Sequence, residues 1–144
     1  ASLDLTNRGR QHLAPEAYTK LGLRAAQTVL FLLGQASYYQ GPQVSGAYQN
    51  GPDKIDILLS HHGGTDFGPA KGISGWEVIG RQGPVEIAGV VRLDAATLRI
   101  ELASPAPGPL TVRYLYGARP DTSAAVHDNS PMELPLDPFE GVVR

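Results

Sequence analysis

From Gly34 onward, turn formers cut the chain into apolar runs too short for helices, which limits this part of the fold to short strands. Gly numbers 17 and Pro 12 in the whole sequence, and most of them lie beyond Gly34. Between these breaks, apolar residues alternate: Ile55, Ile57 and Leu59; Leu98, Ile100 and Leu102; Val112, Tyr114 and Tyr116. Alternate residues of a strand share a face, so each set predicts one buried side of a half-exposed strand. Strands are therefore expected over 43–48, 54–60, 76–79, 85–93, 97–103 and 110–116, with turns at Asp94-Ala95-Ala96 and Pro105 to Pro109. Short antiparallel strands of this kind make a sandwich or a small barrel.

Ahead of Gly34 the period changes. Tyr18, Leu21, Ala25, Val29 and Leu32 recur every three or four residues, predicting an amphipathic helix from Pro15 to about Leu33 that packs on another element. Pro15 is preset for the first helical position and Gly34 for the C-terminal cap. The chain thus divides into 1–34, a loop and helix, and 35–144, an antiparallel β-domain. Its tail from about Ala118, rich in Pro, Asp and Ser, is expected to lie extended on the β-domain surface, because Pro131, Pro135 and Pro138 exclude a regular helix.

Charge and composition exclude several functions. Lys and Arg total 12 against 14 Asp and Glu, a net charge of −2, so no broad basic field exists for a nucleic-acid partner. Cys is absent, which removes disulfides, thiolate metal sites and cysteine nucleophiles. The apolar run from Ala25 to Leu33 is broken by Gln27 and Thr28 and is too short to cross a membrane. No Walker motif, dinucleotide fingerprint, zinc-ligand spacing or G-x-S-x-G occurs, and no cofactor is expected.

Three groups of residues remain as candidates. His12 lies on a loop running into a helix, where the helix fixes its position and the loop leaves the imidazole exposed, as a general base requires. The same placement suits a solvated or capping histidine. His61, His62 and Asp66 put two imidazoles and a carboxylate within six positions after a strand. Neighbouring strand residues point to opposite faces, however, so a metal would need a third ligand such as His127 or Asp128, and a turn built on Gly63-Gly64 is the competing reading. Aromatic residues could stack on sugar rings. Tyr38 and Tyr39, between helix and strand, are the pair expected to be exposed, whereas Trp76, Tyr114 and Tyr116 are expected in the β-core.

These features form an ordered series: His12-Leu13-x-Pro15-x-x-Tyr18, a helix, Gly41-Pro42, His61-x-Gly63-Gly64, Gly75-Trp76-Glu77-Val78, Pro109-Leu110-Thr111-Val112-Arg113-Tyr114, and a close from Asn129-Ser130-Pro131 to Pro138-Phe139. The series resembles the C-terminal third of the sialate O-acetylesterase-like carbohydrate esterases, members of the SGNH hydrolase group. The resemblance implies a mainly β chain, its helix the last of an α/β esterase domain, in which His12 matches the general base. It also implies an O-acetylated carbohydrate as substrate, and a serine nucleophile on an N-terminal part of the same protein or on a second chain. Where the family carries an acid two or three residues before the histidine, Gly9 and Arg10 stand here, leaving Asp4 as the nearest carboxylate to orient the base. A secreted, periplasmic or virion-surface setting goes with this reading. The alternative is a non-catalytic carbohydrate-binding or trimerising terminal domain, as in a phage tailspike or cell-surface protein, with homo-oligomerisation expected.

Overall fold

The computed structural model describes Leu5 and residues 12–144. One helix, α1 (Pro15–Leu32), precedes the strands β1 (Gln43–Gln49), β2 (Lys54–Ser60), β3 (Phe67–Gly68), β4 (Trp76–Gly80), β5 (Gly83–Val85), β6 (Ile87–Arg92), β7 (Thr97–Leu102), β8 (Thr111–Tyr114), β9 (His127–Asp128) and β10 (Phe139–Val142). They form two four-stranded sheets, ordered β1-β2-β7-β6 and β10-β8-β4-β5, and a small β3-β9 ribbon. Every strand pair is antiparallel. The fold is mainly β, an open pair of sheets and not a barrel.

The alternating sets meet between the sheets. Ile55, Ile57, Leu98 and Ile100 from the first sheet and Val78, Val112 and Tyr114 from the second join one buried cluster. Burial of this apolar area, at about 25 cal/mol per Å², is the main term holding the sheets together. The Tyr114 hydroxyl sits in this core and accepts the Val126 N–H at 2.7 Å, which satisfies two polar groups that burial would otherwise leave unpaired.

Within the β-domain two expectations required correction. Tyr116 is not in the core: β8 ends at Tyr114, and Leu115 takes a φ of 47°. That turn breaks the alternation, so Leu115 is buried and Tyr116 is 49% exposed. The tail also does more than lie on the surface. Val126, Leu134 and Leu136 are buried, and β10 pairs along β8 as a full edge strand. The Arg144 N–H donates to the Ala47 carbonyl at 3.0 Å and its own carbonyl accepts from Gln49 N–H at 2.9 Å, tying the end of the chain to β1. These apolar residues are isolated in sequence among Pro and Asp, and only pairing with distant partners reveals their side.

Helix α1 begins and ends as its sequence requires. Pro15 occupies the first turn after an extended Ala14. At the other end Gly34, with φ 71°, donates to the Phe31 carbonyl while Gln35 donates to that of Leu30, a Schellman closure. Its orientation differs from the expectation. The face toward the β-domain runs through Ala17, Lys20, Leu21, Arg24, Gln27 and Thr28 and is mostly polar, whereas Tyr18, Val29 and Leu32 of the expected stripe are exposed, Leu32 by 77%. The physical reason lies in what the helix meets. Its partner is the loop around Met132 and Glu133, which offers carbonyls and a carboxylate and therefore selects the cationic stripe.

Candidate functional site

His12 lies on the extended segment leading into α1, and its side chain is exposed. The N-cap position belongs to Ala14 and no side chain caps the helix, so the capping role open to this histidine is not the one it takes. Among the described residues nothing engages the imidazole. It is thus held three residues before the start of α1, with its side chain open to solvent. Asp4 lies outside the described residues.

Below this loop α1 is fastened to the β-domain. Buried Arg24 donates through its guanidinium to the main-chain carbonyls of Met132 and Glu133. Lys20 reaches the Glu133 carboxylate at 2.6 Å, and this ammonium holds the Glu133 carboxyl below its ordinary range. Gln27 donates to the Tyr38 carbonyl at 2.9 Å. Beneath the 131–134 loop, buried Asp128 shapes the backbone, with Oδ1 accepting from the Ser130 hydroxyl at 2.7 Å and the Leu134 N–H at 2.8 Å. The sequence reading missed Arg24 and Asp128 as determinants. A cation on the stripe Ala17, Leu21, Arg24, Thr28 was the available signal for the first; the second had none beyond its Asp-x-Ser spacing.

The residues weighed for a metal are each committed elsewhere. His61 contributes Nε2 to the Ala95 carbonyl at 2.6 Å, which requires that nitrogen to carry the proton. His62 Nε2 contacts Gln43 Oε1 at 3.1 Å. Asp66 holds Arg92 through two bonds, at 2.8 and 2.6 Å, and the guanidinium keeps its carboxyl below the usual range. Among the described residues no group of three potential ligands converges. The Gly63-Gly64 turn is a close-packed joint instead. A Cβ at Gly63 would overlap the Tyr38 ring, and one at Gly64 would meet Asp128 and Asn129.

That packing leaves Tyr38 half-buried, its ring against the Gly63 backbone. Tyr39 is exposed and pairs with Phe31 at a centroid distance of 4.5 Å. The two neighbours are thus separated in role: Tyr38 joins α1 to the β2–β3 turn, and Tyr39 extends the exposed apolar end of the helix, with Leu30, Phe31, Leu32 and Leu33.

No protein-family model matches the sequence, and no curated protein sequence does. Solved structures share its fold. A carbohydrate acetylesterase from Xanthomonas citri superposes with a TM-score of 0.68 at 19% identity, over 96% of this chain and 31% of the enzyme. The bacterial surface-layer protein SbsC matches in a structure of its domains 1–6, with a TM-score of 0.55 at 12% identity, over 90% of this chain and 17% of that one. The N-terminal part of SbsC gives 0.54 at 12% identity, over 91% of this chain and 29% of that one. The chain therefore spans about a third of the esterase it resembles. What is common to these structures is the fold.

Proposed function

We propose that this chain is the C-terminal part of an SGNH-type carbohydrate O-acetylesterase, in which His12 is the general base for a serine carried on an upstream part of the protein. The observation that carries the reading is the match of helix and β-domain together, 96% of the chain, to a portion of a carbohydrate acetylesterase. The orientation of α1 supports it. Exposed Tyr18, Val29 and Leu32, which fall on one side of the helix, form an apolar strip that an adjoining esterase body would cover, while the Arg24 and Lys20 side already holds the β-domain.

In this reading the His12 imidazole accepts the serine hydroxyl proton as the oxygen attacks the acetyl carbonyl. It then gives that proton to the departing sugar oxygen, and the acyl-enzyme is hydrolysed by a water that His12 deprotonates in turn. Asp4 is the nearest carboxylate by sequence to orient the ring. The substrate is an O-acetylated carbohydrate, and the setting is outside the cytoplasm.

Assays of the 144-residue chain, alone and joined to its upstream portion, on an O-acetylated sugar and an aryl acetate test this directly. Hydrolysis is expected from the joined protein only, and activity of the isolated chain contradicts it. A second reading, a non-catalytic module of a cell-surface assembly, draws on the surface-layer matches. Light scattering separates the two, because a stable trimer of this chain alone favours assembly and co-purification with an upstream esterase part favours the enzyme.

A further inference from the structure

Beside the stretch of β4 that β5 leaves uncovered, a cleft of about 390 Å³ opens, lined by Trp76, Glu77, Ile87, Gly89, Tyr116 and Asp121 among others. It exists because β5 is short: it pairs only with Val78 to Gly80, so Trp76 and Glu77 of β4 run past it without a neighbour on that side. Its volume lies in the range of small-ligand sites, roughly 300–1,000 Å³.

We propose that this cleft binds a neutral carbohydrate, with the Tyr116 ring as platform for a sugar and the carboxylates of Glu77 and Asp121 as acceptors for its hydroxyls. The site stands on its own geometry and holds whether or not His12 acts as a base. A pyranose presents apolar C–H faces bordered by hydroxyl donors, so it calls for an exposed aromatic face beside acceptors. Tyr116 is half-exposed because the Leu115 turn expels it from the core. The Arg113 guanidinium, 4.3 Å from the ring centroid, fixes it from one side. That cation is already paired with Glu140 at 2.5 Å, which leaves the two carboxylates to set the charge of the cleft and disfavours anions.

The wall opposite is prebuilt. Ser74 donates its hydroxyl to the Asp121 carbonyl at 3.2 Å and accepts the Ala124 N–H at 2.9 Å, and Asp121 Oδ1 accepts the Ser123 N–H at 2.9 Å. Gly75, at φ 87°, lets Leu115 and the Asp121 backbone close in beside it. A site ordered in advance loses less entropy on binding. Addition of a peptide strand to β6 is blocked, because Lys71 bridges Val91 and the Arg92 N–H donates to the Ala70 carbonyl at 3.1 Å.

Trp76 is the sole tryptophan of the chain, so its emission reports on the cleft. The 144-residue chain is titrated with β-1,4-linked hexaoses of glucose and of xylose, with the β-1,4-linked tetramer of N-acetylglucosamine, and with inorganic phosphate, each to ~10 mM, a range that captures millimolar affinities. At least one saccharide is expected to shift the emission saturably, and phosphate to leave it unchanged. Tyr116→Ala weakens that binding by ~10-fold or more, Tyr116→Phe retains it, and Glu77→Gln weakens it several-fold. Both residues are exposed, and circular dichroism verifies that the variants fold. Absence of a shift with every saccharide, an undiminished affinity in Tyr116→Ala, or saturable binding of phosphate overturns the proposal.

Discussion

The guanidinium of Arg24, in the middle of the one described helix, donates to the main-chain carbonyl of Glu133, 109 residues later in sequence, and to that of Met132 beside it. A single buried cation thereby joins the first element of the chain to its last third. Removing it strips carbonyl partners and leaves a void under the helix. Arg24→Ala is expected to cost about 2 to 3 kcal/mol, the range for hydrogen bonds to a charged group. Arg24→Lys recovers only part of this, because an ammonium lacks the planar fork. Urea unfolding gives the magnitude, and amide exchange along α1 shows whether the helix loosens from the β-domain first.

Tyr114→Phe tests the buried hydroxyl that accepts the Val126 N–H. The ring remains, so packing changes little, but a buried N–H loses its acceptor. The expected loss is about 1 to 3 kcal/mol, read from the urea midpoint with an unchanged slope.

Gly41→Ala tests a close approach of two backbones. A Cβ there would overlap the carbonyl of Pro135 and crowd that of Leu134, and neither can swing aside as a side chain would. A destabilisation of about 2 kcal/mol or more is expected, as for overpacked cores. Gly22→Ala is the control: it meets no atom within 4 Å, lies within the helix, and should stabilise by up to about 1 kcal/mol.

Acid sensitivity follows from Asp56 and Asp66. Arg99 grips Asp56 at 2.6 and 2.9 Å and holds its carboxyl below the ordinary value, as Arg92 does for Asp66. The unfolded chain then takes up protons near the usual carboxylate pKa of about 3.9 while the folded one resists. Stability from these pairs is full above about pH 5 and declines as the pH falls through 4 toward the lower folded values. Thermal melts at pH 6, 4 and 3 measure this, and Asp56→Asn should flatten the decline.

The β-domain was legible wherever alternation was strict. The expected segments 54–60 and 97–103 return as β2 and β7, and 43–48 as β1, since one buried face per strand leaves a period-two record. The segment 85–93 divides into β5 and β6, because Glu86 carries the chain from one sheet to the other. The short ribbon strands β3 and β9 carry two residues each, too few for any period to register. The helix was legible in its bounds and not in its facing: periodicity identifies an apolar stripe but not which body it meets, and here the polar stripe makes the contact. Tyr116 escaped for a local reason, the positive φ at Leu115, which nothing in the alternation of Val112 and Tyr114 foretells. His12 stood out by its loop ahead of a helix, which equally suits a solvated histidine, and then by its place in an ordered series; the structure adds that it is exposed ahead of α1.

The most direct test of the account is the rate of acetate release from an O-acetylated sugar by the protein carrying both its upstream part and this chain, compared with His12→Ala. Loss of the general base is predicted to lower kcat by ~10³-fold or more while the variant still folds and binds the sugar. An undiminished rate in His12→Ala would contradict the account.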